Sequence, residues 1–415
     1  MVSRKTLIQY MDLILLGLIA AIIGVIVGAI DTVFGRGLSI ISKIRSNYVF
    51  ILTPLLPLAG MLIVYVYNKI GKNSVKGMSL IFSAAFNENE QIPKRLVPLL
   101  IASTWLTHLF GGSAGREGAA VQIGGAIAHS IEKPLGRRLV IENSSKILLI
   151  SGMAAGFAGM FLTPIAAVFF AMEVLTAGLL EYCALFPAII AAFAASCTSQ
   201  AMGLEKFTVS LSGSLKFSTD MVLKVVLLGI LSGIIGGAFA WLFNRAKKFF
   251  AGKISNPLLR IFVMGCILSV MFLILHKGRY SGSGENLIEA AFFGEKVYGY
   301  DWLLKFALTI LTITAGFQGG EVTPLFSIGA SFGAVISSFL GLPIDLAAAL
   351  CYVAVFGSAT NTILAPIFVG GELFGYKYLP YFFIVSAIAY VFNGNRSIYS
   401  AQKIADEKVL KEAKA

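Results

Sequence analysis

Long apolar stretches recur from one end of this chain to the other. Of its 415 residues, 57% are apolar and only 13% are charged, whereas about 25% are charged in an ordinary soluble domain. A helix needs about 20 predominantly apolar residues to cross about 30 Å of hydrocarbon. The stretches that reach or approach this length are Met11–Ile30, Phe50–Tyr67, Val222–Phe243, Leu258–Leu275 and Ile363–Val391. The sequence therefore predicts an all-α, polytopic membrane protein and excludes a soluble domain.

Shorter apolar segments lie between these stretches and predict broken helices. Leu96–Phe110, Val121–Ile131 and Pro324–Leu340 are bounded by glycine-rich or proline-containing loops and are too short to span the bilayer untilted. Irregular backbone at membrane depth is tolerated only where it is buried in protein or lines a cavity, which is typical of transporters. The 43 glycines also let helices approach closely where no hydrophobic force drives them together.

The excess of basic residues lies beside the apolar spans. The chain has 33 Lys and Arg against 21 Asp and Glu, a balance that alone also suits a nucleic-acid-binding protein. Positions in short flanking loops are instead typical of positive-inside and lipid-surface anchors. The groups concerned are Arg4/Lys5, Lys69/Lys72/Lys76, Arg137/Arg138 and Lys247/Lys248. We therefore expect membrane lipid rather than nucleic acid as a partner, and a multi-pass protein of the bacterial plasma membrane with cytoplasmic termini.

The four cysteines predict no metal site. Cys183, Cys197, Cys266 and Cys351 lie in or beside apolar segments without CxxC spacing, so neither a zinc site nor a disulfide framework is supported. We interpret them as small buried hydrophobic residues. The sequence predicts no metal and no cofactor.

Three signatures recur in the same order about 200 residues apart. The pairs are Gly77–Ile81 with Gly284–Ile288, Arg116–Gly124 with Glu321–Gly329, and Thr163–Ile165 with Ala365–Ile367. Their offsets of 207, 205 and 202 residues keep nearly the same register. Transporters are often built from two related halves. We therefore predict an N-terminal transmembrane repeat over residues 1–203, a linker over residues 204–220 and a C-terminal repeat over residues 221–415.

Two glycine-rich loops immediately precede helical patterns and predict an anion site. The first, GGSAGREG, runs from Gly111 to Gly118, and the second, from Gly319 to Pro324, has a proline suited to a first helical turn. Glycines let backbone N–H groups converge, and a helix N-terminus adds unpaired donors and a positive dipole end. Two opposed helix N-termini near the midplane can hold one dehydrated anion. The alternative is that these glycines serve only helix packing.

Glu117 lies on the first of these loops. A carboxylate in a membrane core is costly and is a functional hypothesis by default, although snorkelling to an interface or pairing with Arg116 is the alternative. An ionised Glu117 can occupy the same amide site as the anion, and a protonated one can leave it. A single side chain can therefore couple proton movement to anion movement.

Together these motifs resemble the CLC family of chloride channels and proton-coupled anion antiporters over almost the entire chain. The segments similar to its three anion-site signatures are GSAGREG at Gly112–Gly118, GGEVTP at Gly319–Pro324 and SIYSA at Ser397–Ala401. The resemblance implies an all-helical fold of two inverted repeats, and a homodimer in which each subunit has its own pathway. It also implies that Glu117 is the gating, proton-transferring glutamate and that Tyr399 contributes its hydroxyl near the anion.

Departures from the commoner chloride pattern indicate a particular branch of that family. Met78 stands where chloride members have an anion-binding serine, Ala119 where proline is usual, and Val322 where phenylalanine is usual. Val174 follows Glu173, so the internal glutamate that chloride exchangers use for protons is missing. These features are similar to the fluoride-exporting branch, whose members remain proton antiporters. The resemblance therefore implies fluoride export in exchange for protons, with a chloride/proton antiporter or chloride channel as the alternative.

The loops and signatures together define a set of candidate site residues. With Glu117 as the gate, the candidate anion-binding residues are Met78, Phe82, Gly115, Arg116, Gly118, Glu321, Val322, Thr323 and Tyr399. Met78, Phe82 and Phe86 share one helix face, and we interpret Phe86 as core packing. The internal proton route, the exchange stoichiometry, the choice between exchanger and channel, and the roles of Glu285 and Glu321 stay open.

Two rival functions use the same residues differently. The first is an intramembrane serine protease, because Gly111–Gly115 matches the GxSxG motif around Ser113, with His108 and His129 nearby. The matching loop in the second half has no serine, and the motif needs a nucleophile elbow with a positioned base. A sodium-coupled amino-acid carrier has similar broken helices but needs an amine partner, and no carboxylate besides Glu117 is well placed. We therefore expect an inorganic-anion transporter and not an enzyme.

Overall fold

The chain is mostly α-helical. The computed structural model describes residues 4–87, 90–135, 143–212 and 218–405. Its α-helices are α1 (Arg4–Asn47), α2 (Val49–Leu52), α3 (Leu56–Val66), α4 (Met78–Phe86), α5 (Leu96–Leu109), α6 (Glu117–Leu135), α7 (Ser144–Phe161), α8 (Pro164–Glu173), α9 (Leu185–Ala201), α10 (Thr219–Lys253), α11 (Pro257–Ile274), α12 (Glu285–Phe293), α13 (Asp301–Ala315), α14 (Val322–Leu340), α15 (Ile344–Thr360), α16 (Leu364–Phe374) and α17 (Leu379–Val391). Two short strands, β1 (Thr176–Ala177) and β2 (Lys403–Ile404), pair in parallel.

Seven helical stretches in the described part of the chain are long and apolar enough to cross a membrane. They are Met11–Asn47, Val49–Lys76, Ser144–Phe161, Tyr182–Ala201, Thr219–Lys253, Pro257–Ile274 and Val322–Leu340. The prediction of an all-α, polytopic membrane protein is confirmed. The apolar stretch Ile363–Val391 does not form one membrane span, because it divides into α16 and α17. Gly375 separates them with φ 105°, a conformation that side chains rarely adopt.

The shorter helices begin and end where their sequences direct. Pro164 opens α8 at a position where its missing N–H is not needed. Gly316 and Gly341 end α13 and α14 in the left-handed conformation. The helix predicted from Pro324 begins two residues earlier, so α14 has 19 residues and is long enough to span, contrary to the expectation from sequence.

The two halves repeat the same series of helices. α4 and α12 have nine residues each, and α6 and α14 have 19 each. Just before α6 and α14, Gly115 and Gly320 form an antiparallel bridge, with N–H to carbonyl oxygen distances of 2.5 and 2.8 Å. Their separation of 205 residues is the offset of the sequence alignment. Because a reciprocal antiparallel bridge between equivalent residues marks a local two-fold axis, the two halves are inverted here.

The predicted domain boundaries themselves stay predictions. Residues 213–217 of the linker, like Arg137 and Arg138, lie outside the described residues. Within the linker, Val209 donates its N–H to the Leu373 carbonyl, and Ser212 contacts Asp345 through its N–H and its hydroxyl, each at 2.6 Å. The linker therefore packs against the second half over these residues.

Glycines let α6 approach α7 and let α14 approach α15. A Cβ on Gly124 would lie 2.0 Å from the carbonyl oxygen of Gly152, and a Cβ on Gly329 would lie 2.3 Å from that of Cys351. No side chain fits at such distances, and close backbone approach is what stabilises helix pairs within a bilayer. These two helix pairs form the centre of the core, since α7 is buried from Ile147 to Met160 and α15 from Leu346 to Thr360. They hold the N-termini of α6 and α14 against each other.

The cysteines differ in burial. Cys351 is buried and Cys266 partly buried, whereas Cys183 and Cys197 are exposed on the protomer, and all four are free thiols. The interpretation of four buried residues is therefore wrong for two of them. A small, weakly polar thiol suits an apolar outer surface as well as a core.

Candidate functional site

Glu117 is the first residue of α6, and its side chain is completely buried. The Gly115–Gly320 bridge holds the loop before α6 against the loop before α14. Thr323, the second residue of α14, consequently lies beside Glu117 although 206 residues separate them. The two predicted glycine-rich loops thus lie together, with their helix N-termini facing the same carboxylate.

The Glu117 carboxylate is held by donors from both helix starts. Its Oε2 accepts the backbone N–H of Arg116 at 3.1 Å and the backbone N–H of Thr323 at 3.0 Å. Oε2 also accepts the Thr323 hydroxyl. These donors lie where the positive ends of two helix dipoles converge, an arrangement that favours a negative charge. The carboxylate therefore occupies a ready-made anion seat formed by the N-termini of α6 and α14.

The other oxygen of Glu117 is less firmly held. No hydrogen-bond donor among the described residues reaches Oε1, and the Arg116 Nε lies 3.5 Å away. The Arg116 guanidinium also lies 3.1 Å from an oxygen of Glu285, the first residue of α12. Arg116 and Glu285 are partly exposed, with side-chain exposures of 22% and 44%. Arg116 therefore connects the buried Glu117 carboxylate to a carboxylate in contact with solvent.

A cavity of about 340 Å³ lies on one side of this seat. Five of the predicted site residues line it, namely Met78, Phe82, Gly118, Glu321 and Tyr399. The others, Gly115, Arg116, Val322 and Thr323, do not line the cavity but surround Glu117 behind it. The structure thus brings the predicted residues together as two neighbouring groups, an anion seat and a vestibule.

The local two-fold axis pairs Glu117 with Val322, at the same offset of 205 residues. Val322 is almost completely buried and opens α14, as Glu117 opens α6. The next acidic group in the second half is Glu321, the N-cap residue of α14, which lines the vestibule beside Gly118. The two helix starts are equivalent in backbone, but a carboxylate occupies the seat from the α6 side alone.

Tyr399 and Phe82 form the aromatic wall of the vestibule. Their ring centroids lie 5.4 Å apart. The Tyr399 hydroxyl is buried and has no hydrogen-bond partner among the described residues. A buried polar group without a partner costs free energy. This hydroxyl is therefore a donor available to an anion in the vestibule.

Tyr399→Phe is expected to weaken anion binding with little effect on folding. Phenylalanine keeps the ring packing against Phe82 and removes one hydroxyl, worth about 1 kcal/mol or about a fivefold change in affinity. The concentration dependence of anion efflux from liposomes measures the change, with Tyr376→Phe, an exposed tyrosine, as the control. Aggregation of Tyr399→Phe with unchanged flux per folded molecule would assign Tyr399 a structural role instead.

Met78 opens α4 at the edge of the vestibule. Its N-cap residue, Gly77, has φ 57°, so the chain turns sharply into the helix. The helix start supplies backbone N–H groups there, but the Met78 thioether supplies no donor. Phe86, at the other end of α4, does not line the vestibule and lies under the Lys403 ammonium, 4.0 Å from the ring centroid.

Lys305 is a buried cation that sequence reasoning missed. Its Nζ donates to Ser113 Oγ at 2.9 Å and to the carbonyl oxygens of Gly282 at 2.7 Å and Tyr280 at 3.2 Å. All three donors of the ammonium are thereby used, as a fully buried charge requires. Lys305 therefore ties the loop of the first half to the second half. The only signal in the sequence was a lysine within an otherwise apolar helix.

Ser113 does not form a catalytic pair with the histidine proposed for it. The Ser113 hydroxyl lies 2.8 Å from Thr309 Oγ1 and accepts from Lys305. His108 Nε2 lies 3.4 Å from the Gly115 carbonyl oxygen, and His129 lies twelve residues into α6. The serine is a member of a structural network, so the geometry offers no support for the protease alternative.

Two further glutamates cap the N-termini of α8 and α16. Glu173, the last residue of α8, accepts the backbone N–H groups of Ile363, Leu364 and Ala365 at 2.7–3.2 Å, at the start of α16. Glu372, near the end of α16, accepts those of Ile165 and Ala166 at 3.3 and 2.9 Å, at the start of α8. Each short helix thus caps the other, so among these four helix starts those of α6 and α14 alone adjoin the vestibule.

Broken helices, inverted halves and a buried carboxylate on converging helix N-termini together define an ion transporter of the inverted-repeat class. A family model described as voltage gated chloride channel matches residues 59–394. The chain therefore belongs to the voltage-gated chloride channel family, also called the CLC family, as its motifs predicted.

Individual relatives cover three quarters or more of the chain. A "chloride/fluoride channel protein" of Pseudomonas syringae pv. tomato is 34% identical over 94% of this chain and 86% of its own. An H⁺/Cl⁻ exchange transporter of Vibrio campbellii is 26% identical over 76% and 70%. A solved CLC-type fluoride/proton antiporter is 48% identical, with a TM-score of 0.93 over 95% of this chain and 99% of that one. CLC proteins of this kind are transporters and not enzymes, in agreement with the expectation.

Proposed function

We propose that this protein is an antiporter that exports fluoride in exchange for protons. The observation that carries the proposal is the Glu117 carboxylate on the N-termini of α6 and α14, at the end of a vestibule lined by Met78 and Tyr399. The 48% identity to a fluoride/proton antiporter and the 34% identity to a chloride/fluoride channel protein support the choice of fluoride.

Competition for one set of donors couples the two ions. While it is ionised, Glu117 occupies the Thr323 N–H and hydroxyl and the Arg116 N–H, and an anion is excluded from them. When Glu117 binds a proton it loses its charge, and its hold on these donors weakens because charge-assisted hydrogen bonds are about twice as strong as neutral ones. The anion then takes the seat and the protonated side chain leaves it. The displaced side chain then releases its proton inside the cell, and the ionised carboxylate returns to the seat and expels the anion to the outside. Each cycle therefore exchanges proton for anion.

The donors suit a small, strongly hydrated anion. Fluoride gives up its hydration only where hydrogen bonds are returned at close range, and backbone N–H groups at helix starts return them. The Thr323 hydroxyl and the Tyr399 hydroxyl, which has no partner among the described residues, add two more. Partial charges also release the ion more readily than a full positive charge would.

We further propose that the protein is a homodimer in the lipid of a bacterial plasma membrane. Both termini would be cytoplasmic, and each subunit would have its own ion pathway. The family membership supports the dimer, and the apolar spans support the location in a membrane. The repeats over residues 1–203 and 221–415, joined by the linker over residues 204–220, would contribute one helix start each to every pathway.

The decisive experiment measures ion flux from liposomes that contain the purified protein. A fluoride electrode outside and a pH-sensitive dye inside are expected to record fluoride efflux together with proton uptake, and chloride is expected to replace fluoride poorly. Proton movement against its own gradient, driven by fluoride, would establish exchange. Equal transport of chloride and fluoride would leave a chloride/proton antiporter or a chloride channel as the function.

Met78→Ser is expected to transport chloride measurably and to discriminate less well between fluoride and chloride. Serine returns to the start of α4 a hydroxyl donor that a larger anion can use, whereas the thioether offers none. One added hydrogen bond of about 1 kcal/mol corresponds to a gain of about fivefold in chloride flux relative to fluoride. Met78→Leu, which fills the same space without a donor, serves as the control. Unchanged chloride flux in Met78→Ser would show that Met78 does not determine the anion selectivity.

A further inference from the structure

A second cavity, of about 410 Å³, lies outside the ion pathway. Trp241, Arg245 and Lys248 of α10 line it, together with Arg396 and Ser397 from the segment after α17. We call this cavity the α10 pocket. Its neighbour Lys247 faces the vestibule instead, so this part of α10 separates the two cavities.

The charges of the α10 pocket all have one sign. Arg245, Lys248 and Arg396 are cationic, and no lining residue is acidic. The guanidinium carbons of Arg245 and Arg396 lie 5.1 and 5.5 Å from the centroid of the Trp241 ring. The face of the Trp241 ring attracts both guanidinium groups and so keeps two positive charges near each other. Three converging cations produce a positive potential that an anion would relieve.

The pocket lies toward the C-terminal end of a helix that is longer than a bilayer span. α10 has 35 residues, well beyond the roughly 20 that cross the hydrocarbon. Apolar side chains such as Leu227 and Ile234 are exposed along it, and after Lys224 near its start the next basic residue is Arg245. Tryptophan and basic residues at the end of an apolar span are typical of the lipid headgroup layer. These features predict that the pocket opens at the level of the phospholipid phosphates.

We propose that the α10 pocket is a phosphate-binding site, and that the phosphate it binds is the headgroup of an anionic membrane phospholipid. Arginine forks match phosphate oxygens in pairs, and a neighbouring ammonium adds a point charge. The half-exposed indole packs against the glycerol and upper acyl region, as tryptophan does at bilayer interfaces. The exposed side chains of Val391 and Phe392 continue this apolar surface next to Arg396.

The bound headgroup would be connected to the vestibule. Asn244 donates to the Ser397 carbonyl oxygen at 2.8 Å, and Ser397 Oγ accepts the Tyr399 N–H at 3.1 Å. Arg396 precedes these residues in the same segment. A phosphate held by Arg396 therefore restrains the segment that carries Tyr399. Lipid composition would act on the anion site through this link.

The test is a titration of the purified full-length protein in a neutral detergent. Phosphatidylglycerol or phosphatidylcholine is added, and the lipid retained is counted by native mass spectrometry alongside the Tm. We expect wild type to bind phosphatidylglycerol, with about 100-fold weaker binding in Arg245→Gln/Lys248→Gln/Arg396→Gln. Each basic side chain near an anionic surface contributes a factor of about five, and three factors multiply.

A matched variant separates the pocket from general surface charge. Lys43→Gln/Lys94→Gln/Lys277→Gln removes three exposed lysines outside α10 and is expected to bind phosphatidylglycerol as wild type does. Equal weakening in both triple variants, or equal wild-type binding of the two lipids, would overturn the proposal. Should the pocket variant not fold, Arg245→Lys/Arg396→Lys keeps the charge and is still expected to bind several-fold more weakly, because lysine lacks the paired donors. Unchanged binding in that variant would likewise contradict the site.

A separate arm identifies the source of the phosphate. Inorganic phosphate is titrated alone, with no anionic lipid present, and the Tm is followed in the same variants. Little stabilisation by inorganic phosphate, with a strong effect of phosphatidylglycerol, supports the headgroup. A charge-dependent stabilisation by inorganic phosphate to which phosphatidylglycerol adds nothing would overturn the lipid assignment in favour of a soluble ligand. Neither arm depends on which anion the protein transports.

Discussion

Replacing Glu117 with glutamine is expected to abolish proton transport and leave the fold intact. Glutamine has the same shape, and its amide oxygen can still accept the Thr323 N–H and hydroxyl that hold the carboxylate. It carries no charge and releases no proton, so the alternation between seated and displaced forms stops. Proton uptake driven by a fluoride gradient should fall to the level of empty liposomes. A pH-sensitive dye trapped inside the liposomes measures it.

The control for Glu117→Gln is Glu289→Gln, an equivalent change at an exposed position on α12. This variant should exchange protons as wild type does. Uphill proton movement that persisted in Glu117→Gln would show that another group carries the proton, and the role proposed for Glu117 would be wrong. A Glu117→Gln protein that elutes as aggregate would be uninformative by flux alone, so Glu117→Ala at matched yield provides the second measurement, with the same expected loss.

Thr323→Val is expected to weaken apparent fluoride affinity about 10- to 100-fold. Valine keeps the β-branched shape on α14 and keeps the backbone N–H, but it removes the hydroxyl that donates to the seat. Hydrogen bonds to charged groups contribute about 1.5–3 kcal/mol, which converts to this range. The fluoride concentration that gives half-maximal efflux measures the change.

A threonine outside the site provides the comparison for Thr323→Val. Thr198 on α9 donates its hydroxyl to the Ala194 carbonyl within its own helix, at 2.8 Å. Thr198→Val should leave the fluoride dependence unchanged. If Thr323→Val lowered the Tm as its main effect and left the half-maximal concentration unchanged, the Thr323 hydroxyl would be a packing contact and not a donor to the transported ion.

Much of the fold could be predicted because the signals that define it are local. The apolar runs gave α1, α10 and α11, and the glycine-rich loops marked the starts of α6 and α14. Periodic hydrophobicity and helix-start residues act over a few turns, so they can be read from neighbouring positions. The offset of 205 residues reappeared as the Gly115–Gly320 bridge. The same reasoning failed at Gly375, where an uninterrupted apolar run hid a break between two helices.

The site was predicted in part. Local motifs supplied Glu117 and the loops around it, and the resemblance to the family supplied Tyr399 and Met78. Lys305 was missed because the atoms it binds lie 23, 25 and 192 residues away. The caps formed by Glu173 and Glu372 were missed for the same reason, since each glutamate binds a helix about 200 residues distant. Contacts between residues so far apart in the chain cannot be predicted from a single sequence.

The sequence by itself determined that this chain lies in a membrane, that it consists of two related halves, and that a carboxylate opens the helix after the first glycine-rich loop. The first property depends on composition, the second on motifs that recur about 205 residues apart, and the third on neighbouring residues. Only the tertiary structure decided which donors that carboxylate meets. Thr323, in the other half, donates to the Glu117 carboxylate. It lies in place because glycines let α6 pack closely against α7 and α14 against α15. Hydrogen-bond geometry depends on tenths of an ångström, and that accuracy comes from packing across the whole molecule.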